Sequence, residues 1–347
     1  MPVSGLLQGS RHLITLATVR RQPLTIDATK MSAAAAQTNY SGQKPDLAKA
    51  IGWTLVSVLT FALTAWAGRE CGKHMTAMNM VFYRNFISLI ILLAAFWWLG
   101  ISLKSLWTER PWLQWGRALV HFAGQWSWMT ALLLIPLIEL ISLEFTFPLW
   151  VALLAPLMLG EQLTKPRVFA ALMGFLGVLV IILGPTMLSG GRVAPSFSLG
   201  TAMALSCAVF FCFNMIGTRY LTRYDSALTI LMFMVVNHSI MAFVLGYQTI
   251  KWPQGTLWFW VMMLGVCSLV AHFALAKALV YADTVVVAPL DFLRIPLMVM
   301  LGVFVYQETL QPIVLVGTLF VLAGNGVNIW QERKRKLATT APGQAGA

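Results

Sequence analysis

Apolar residues run through this chain in blocks about as long as a bilayer is thick, and polar residues gather between the blocks. Ten blocks stand out: Ala48–Gly68, Asn79–Leu99, Trp112–Leu134, Leu137–Leu159, Val168–Leu188, Leu199–Tyr220, Ala227–Tyr247, Leu257–Val280, Val285–Tyr306 and Ile313–Trp330. Each predicts a membrane-spanning helix. None alternates with a period of two, which argues against barrel strands; a helix satisfies its own backbone hydrogen bonds in lipid. The third and fourth blocks meet at Pro136, and together they are too long for one span.

The pattern is written twice. Glu139–Thr164 reappears 147 residues later in Val287–Gln311, with Asp291 where Glu144 stood. At that offset Leu143 meets Leu290, Phe145 meets Phe292, Leu154 meets Leu301, Glu161 meets Glu308 and Gly177 meets Gly324. One five-helix unit used twice accounts for this. Because five is odd, the second copy enters the membrane from the other face. The expected fold is therefore an all-α integral membrane protein of ten transmembrane helices in two inverted five-helix repeats, 48–188 and 199–330, a plan that places a substrate site near the midplane between halves.

Composition agrees. The chain is 59% hydrophobic and 10% charged, with mean hydropathy +0.76, whereas a soluble domain carries roughly a quarter charged residues. The net charge of +12 is spread over loops and tails, so it reads as topology signalling and not as a nucleic-acid surface. With the N-terminus in the cytoplasm, sixteen Lys and Arg fall on the cytoplasmic side, four on the other (Arg69, Lys73, Arg192, Lys251) and four within spans. Both termini are expected inside, in the cell inner membrane. Residues 331–347 form a basic cytoplasmic tail. Residues 1–47 form a disordered or amphipathic one, and two readings of its start stay open: a surface-lying or targeting segment at Leu6–Leu24, or translation from Met31. The cysteines, Cys71, Cys207, Cys212 and Cys267, have no ligand spacing and predict neither disulfide nor metal site.

Ionisable groups inside lipid usually turn toward a cavity or a partner. Candidates for substrate binding or coupling are Arg84, His121, Gln125, Glu144, His272, Asp291 and Arg294. Asp291 and Arg294 are three apart and can pair on one helix face, either as an internal salt bridge or as a working site. Glu144 has no base three or four positions away on its own helix, so it is the better candidate to exchange a proton, with Arg84 as a possible neighbour from the second span. Arg117 and Lys277 lie near span ends and are expected to snorkel to the interface. Pro148 removes the donor for the carbonyl of Glu144, and Pro296 does the same for Phe292, so a kink is expected beside each acid. His121, Gln125 and Trp128 form a polar stripe, and Gln125 matches His272 in the other half. Asn237-His238 reads equally as lining or as packing. Gly174, Gly177, Gly324 and Gly326 mark close-packing faces, usable within the fold or between protomers.

The stretch SLEFTFPLWVALLAPLMLGEQLT, its echo ending VFVYQETL, and the patch Phe82-Tyr83-Arg84-Asn85 resemble the drug/metabolite transporter superfamily, within it the EamA-type ten-span transporters. Glu161 and Glu308 match the acid that closes each half's fourth span; Gly160 matches the glycine before it, but Gln307 replaces it in the second half. The resemblance covers Lys49 to Trp330 and implies that spans five and ten are peripheral. It implies a secondary transporter, by expectation an exporter, of a small polar organic metabolite such as an amino acid, nucleoside or cofactor-like compound, driven by exchange or protons. No Walker motif, metal cluster, nucleophile elbow or dinucleotide fingerprint is present, so neither an enzyme nor a resident cofactor is expected. The alternatives are an intramembrane enzyme and a non-transporting receptor or assembly protein.

Overall fold

The computed structural model describes residues 46–102, 107–159, 164–188, 197–222, 224–282 and 284–340. The described residues are helical and contain no strand. In chain order the helices are α1 (Leu47–Gly72), α2 (Ala77–Trp98), α3 (Pro111–Leu134), α4 (Leu137–Glu144), α5 (Phe147–Leu159), α6 (Lys165–Leu188), α7 (Leu199–Leu221), α8 (Ala227–Gly246), α9 (Leu257–Tyr281), α10 (Thr284–Asp291), α11 (Arg294–Met300) and α12 (Pro312–Thr340). A π-helical turn, Leu301–Val305, continues α11. The fourth span is thus α4 with α5, and the ninth is α10 with α11 and the π turn. Among the described residues nine stretches are long and apolar enough to cross a membrane. The tenth, α3, is 24 residues long and more polar, with Gln114, Arg117, His121 and Gln125 all buried.

Local chemistry sets the helix starts. Side chains of Asp46, Thr76, Ser198 and Ser226 each accept the backbone N–H three residues on, which caps α1, α2, α7 and α8. Pro111 opens α3, where its missing N–H costs nothing.

Packing follows a two-fold plan. α1 packs on α9 and α7 on α3, and exchanging the halves turns one contact into the other; α2 with α8 and α6 with α12 pair with their own counterparts. α4 lies at the centre, with Leu137, Leu140, Ile141 and Leu143 no more than 1% exposed. Its Leu and Ile side chains are buried together with Ser142 and Glu144, as in a helix enclosed by the bundle. α6 and α12 cross closely enough that a Cβ on Gly177 would sit 2.6 Å from the Gly317 carbonyl oxygen, and one on Gly324 2.6 Å from that of Ala170. The glycine face is therefore used within the chain at Gly174, Gly177 and Gly324, while Gly326 has open space. The outward side of α6 exposes Phe169, Leu172 and Phe175, and Trp97, Trp98 and Trp112 lie exposed at span ends, as lipid and headgroup contacts require. The basic run Arg333–Lys336 continues α12.

Candidate functional site

Spans four and nine are interrupted at equivalent positions. α4 ends at Glu144 and α5 begins at Phe147; α10 ends at Asp291 and α11 begins at Arg294. Pro148 and Pro296 each lie four residues beyond a carbonyl that they leave without its helical donor. Around the two breaks the backbone is bonded locally, and of the two freed carbonyls Phe292 O regains a donor. Thr146 N–H donates to Leu143 O at 3.1 Å, the Asn325 side-chain amide of α12 donates to Phe145 O at 2.7 Å, and Ile295 N–H donates to Phe292 O at 3.0 Å.

These breaks bring three charges together. Arg294 Nη1 donates to Glu144 Oε1 at 3.0 Å, and Arg294 Nη2 to Asp291 Oδ2 at 2.7 Å. Trp128 Nε1 donates to Glu144 Oε2 at 2.7 Å. The guanidinium lies over Phe61 and Phe145, 4.7 and 4.8 Å from the ring centroids, where the ring quadrupole favours a cation. Glu144 therefore has a basic partner, and it is Arg294 from the other half, not Arg84. Two carboxylates share one guanidinium, which leaves one surplus negative charge, and Asp291 Oδ1 has no hydrogen-bond partner among the described residues.

Arg84 lies elsewhere. With Asn85, Ser88, Gln125, Leu231, Met234, Val235, Ser268, Leu269 and His272 it lines a narrow cleft between α2, α3, α8 and α9. Arg84 Nη2 lies 3.0 Å from His272 Nε2. A guanidinium only donates, so this nitrogen accepts and the imidazole carries its proton on Nδ1. The Gln125 amide sits between Asn85 and Arg84; with its oxygen turned toward Arg84 it accepts from Nη1 at 2.8 Å. His121 stacks on His238 at 5.0 Å and approaches His272 at 6.4 Å. His238 Nε2 lies 3.1 Å from Ala118 O, and Phe61 touches His272 edge-on. Seven candidates thus fall into two neighbouring groups: Glu144, Asp291 and Arg294; and Arg84, Gln125 and His272, with His121 behind them.

Arg117 does not snorkel. It is 6% exposed and donates to Asn214 Oδ1 at 3.0 Å and to Ile230 O at 3.2 Å, because α3 lies inside the bundle against α7 and α8. Lys277 is half-buried, its ammonium 5.7 Å from the Phe273 ring. Glu308 closes one end of the bundle. It pairs with Arg69 at 2.9 Å and accepts from Leu137 N–H, at the start of α4, at 2.8 Å. Arg69 also donates to Ile135 O, and Tyr306 OH donates to Glu70 at 2.8 Å. Glu161 lies outside the described residues. Sequence reasoning missed Phe61 and Arg69; the Arg69-Glu70 pair at the end of the first span was the available signal.

An apolar two-repeat bundle with buried polar clusters on its central helices defines a multi-pass membrane protein that handles a small molecule. The profile of the EamA-like transporter family matches residues 48–183 and again 198–329, and the chain belongs to that family. It is 27% identical over 249 residues to a riboflavin transporter of Brucella anthropi, covering 70% of this chain and 84% of that one. It is 25% identical over 284 residues to an S-adenosylmethionine uptake transporter of Rickettsia conorii, covering 82% and 93%. It is 27% identical over 169 residues to an aromatic amino acid exporter of Ancylobacter novellus, covering 48% and 57%. A crystal structure shares the fold with a TM-score of 0.57 at 20% identity, over 81% of this chain and 97% of that one.

Proposed function

We propose that this protein is a secondary transporter that carries a small polar organic metabolite by alternating access, with the substrate held in the cleft between α2, α3, α8 and α9. The observation that carries the reading is the set Arg84, Gln125 and His272, polar side chains near the middle of three spans that line one cleft. Polar groups at that depth are costly unless a cavity or ligand uses them. The relatives' names favour organic molecules with an aromatic or heteroaromatic part. Their directions differ, uptake in one and export in another, which suits an exchanger whose net flow follows the gradients. The halves 48–188 and 199–330 then act as the two rocking units, in an inner membrane with both termini cytoplasmic. The Glu144–Arg294–Asp291 group joins them and is the place where a proton would enter the cycle.

The test is counterflow with the purified full chain in liposomes preloaded with a metabolite pool. Exchange of at least one pool member above empty liposomes is expected. Absence of flux for every member, from protein that is folded by thermal unfolding, would sink the reading.

A further inference from the structure

We propose that the cleft recognises an organic carboxylate, with Arg84 as its anion-binding residue and the Leu231–Met234–Val235 wall as the seat of the apolar body. This rests on the transport reading and assigns the chemical class of its substrate. The charge distribution carries it. Arg84 is 7% exposed, and its two side-chain partners, His272 and Gln125, are neutral. Arg117, one helix away, is held by a neutral amide and a backbone carbonyl. Among the described residues no carboxylate lies within ion-pairing distance of either arginine. The two acids at similar depth, Glu144 and Asp291, are both committed to Arg294. The cleft thus carries an uncompensated guanidinium at Arg84, while the Arg294 group sets two carboxylates against one guanidinium.

An unneutralised guanidinium in low dielectric is expensive, and an arriving anion offsets that cost. The remaining lining sorts by chemistry. Asn85 and Gln125 place amides beside Arg84, and the hydroxyls of Ser88 and Ser268 point their protons at the Gly265 carbonyl or at Arg84 O. Leu231, Met234, Val235 and Leu269 are apolar. A planar carboxylate matches the guanidinium fork, two N–H donors to two oxygens. One arginine flanked by neutral groups suits a monoanion better than a phosphate dianion.

Indole-3-acetate and indole-3-acetamide, one aromatic body with and without the charge, test this by calorimetry on the purified full chain in detergent. The acid is expected to bind at least about tenfold more tightly than the amide, since only the acid makes charge-assisted hydrogen bonds to the guanidinium. Arg84→Gln should erase the difference, and Arg84→Lys should keep part of it. Should Arg84→Gln not fold, Gln125→Glu sets an internal carboxylate against Arg84 and should exclude the acid in a folded protein. Equal binding of acid and amide, no binding of either, or full acid binding by Arg84→Gln or Gln125→Glu overturns the assignment. Counterflow of the metabolite pool by the wild type, run in parallel, separates the two readings. Flux with any of those binding results rejects the carboxylate site alone, and no flux at all rejects transport.

Discussion

Arg294 holds two carboxylates at once, and this sets an order of damage that Asp291 and Arg294 alone would not have given. From their three-residue spacing, Asp291→Asn should strand a buried cation. In the structure it does not, because Glu144 stays on the guanidinium. Loss of Asp291 therefore removes one charged hydrogen bond, about 1.5–3 kcal/mol. Arg294→Gln leaves two buried acids together, at about 3–5 kcal/mol or more. Thermal unfolding of the purified variants should rank Arg294→Gln below both Asp291→Asn and Glu144→Gln; the reverse order would mean that the Glu144 contact is not made. A second prediction concerns protons. The group holds two carboxylates against one guanidinium, and it is where the proposed function has a proton enter. Glu144→Gln removes one of the two, so the pH dependence of exchange, measured in liposomes, should flatten with the protein still folded. An unchanged profile assigns Glu144 to structure only. At this scale the Asp291–Arg294 pair was legible because it is local. The Glu144–Arg294 pair joins residues 150 apart in sequence and depends on two helix breaks meeting. Arg117 was misread because position along a helix says nothing about which neighbours cover it.

The broken spans show what a sequence reveals about elements. Pro148 and Pro296 announce interruptions four residues upstream through the hydrogen bonds they cannot make, and the breaks that begin at Glu144 and contain Phe292 lie there. Nothing comparable marks the π turn at Leu301–Val305, where no proline or glycine pair stands apart from Gly302. That glycine has a contact reason: a Cβ there would lie 2.5 Å from Glu308 Oε2. Two residues beyond the turn stands Gln307 at φ +52°, the one non-glycine residue with positive φ among the described residues. An L-residue pays roughly 1–2 kcal/mol for this conformation, and glycine does not. The first half carries Gly160 before its acid, which makes the departure at Gln307 interpretable. Gln307→Gly should therefore stabilise the protein by about 0.5–1 kcal/mol, after loss of the Gln307–Phe304 hydrogen bond and greater freedom in the unfolded chain. A raised midpoint in thermal unfolding is the expected reading; a lowered one would mean that the side-chain contact outweighs the strain.

For the whole molecule, inversion of the halves ties orientation to function. On the topology we propose, each repeat contributes five spans, so the connection between them, which contains Arg192, emerges on the face opposite to both termini. The Lys and Arg distribution, sixteen against four, favours that connection outside and the termini inside. Orientation then gives the two ends of the bundle their meaning. Arg69, Leu137, Tyr306 and Glu308 lie at the end of α1, the start of α4 and the close of the ninth span, which all face outward in this scheme. Their hydrogen bonds tie those three segments together. Reporter fusions after Arg192 and after Lys336 should fall on opposite sides, the first periplasmic and the second cytoplasmic, and thiol labelling of single cysteines at the same places should agree. If both fusions report the same side, one of the stretches between them, α7 to α12, does not cross the membrane. Because α3 lies upstream of both fusions and outside the nine stretches with spanning character, its failure to cross would instead exchange the two readouts, the first cytoplasmic and the second periplasmic. In that case the two copies of the repeat would enter from the same face, and the cleft between α2, α3, α8 and α9 could not be exposed alternately to the two sides.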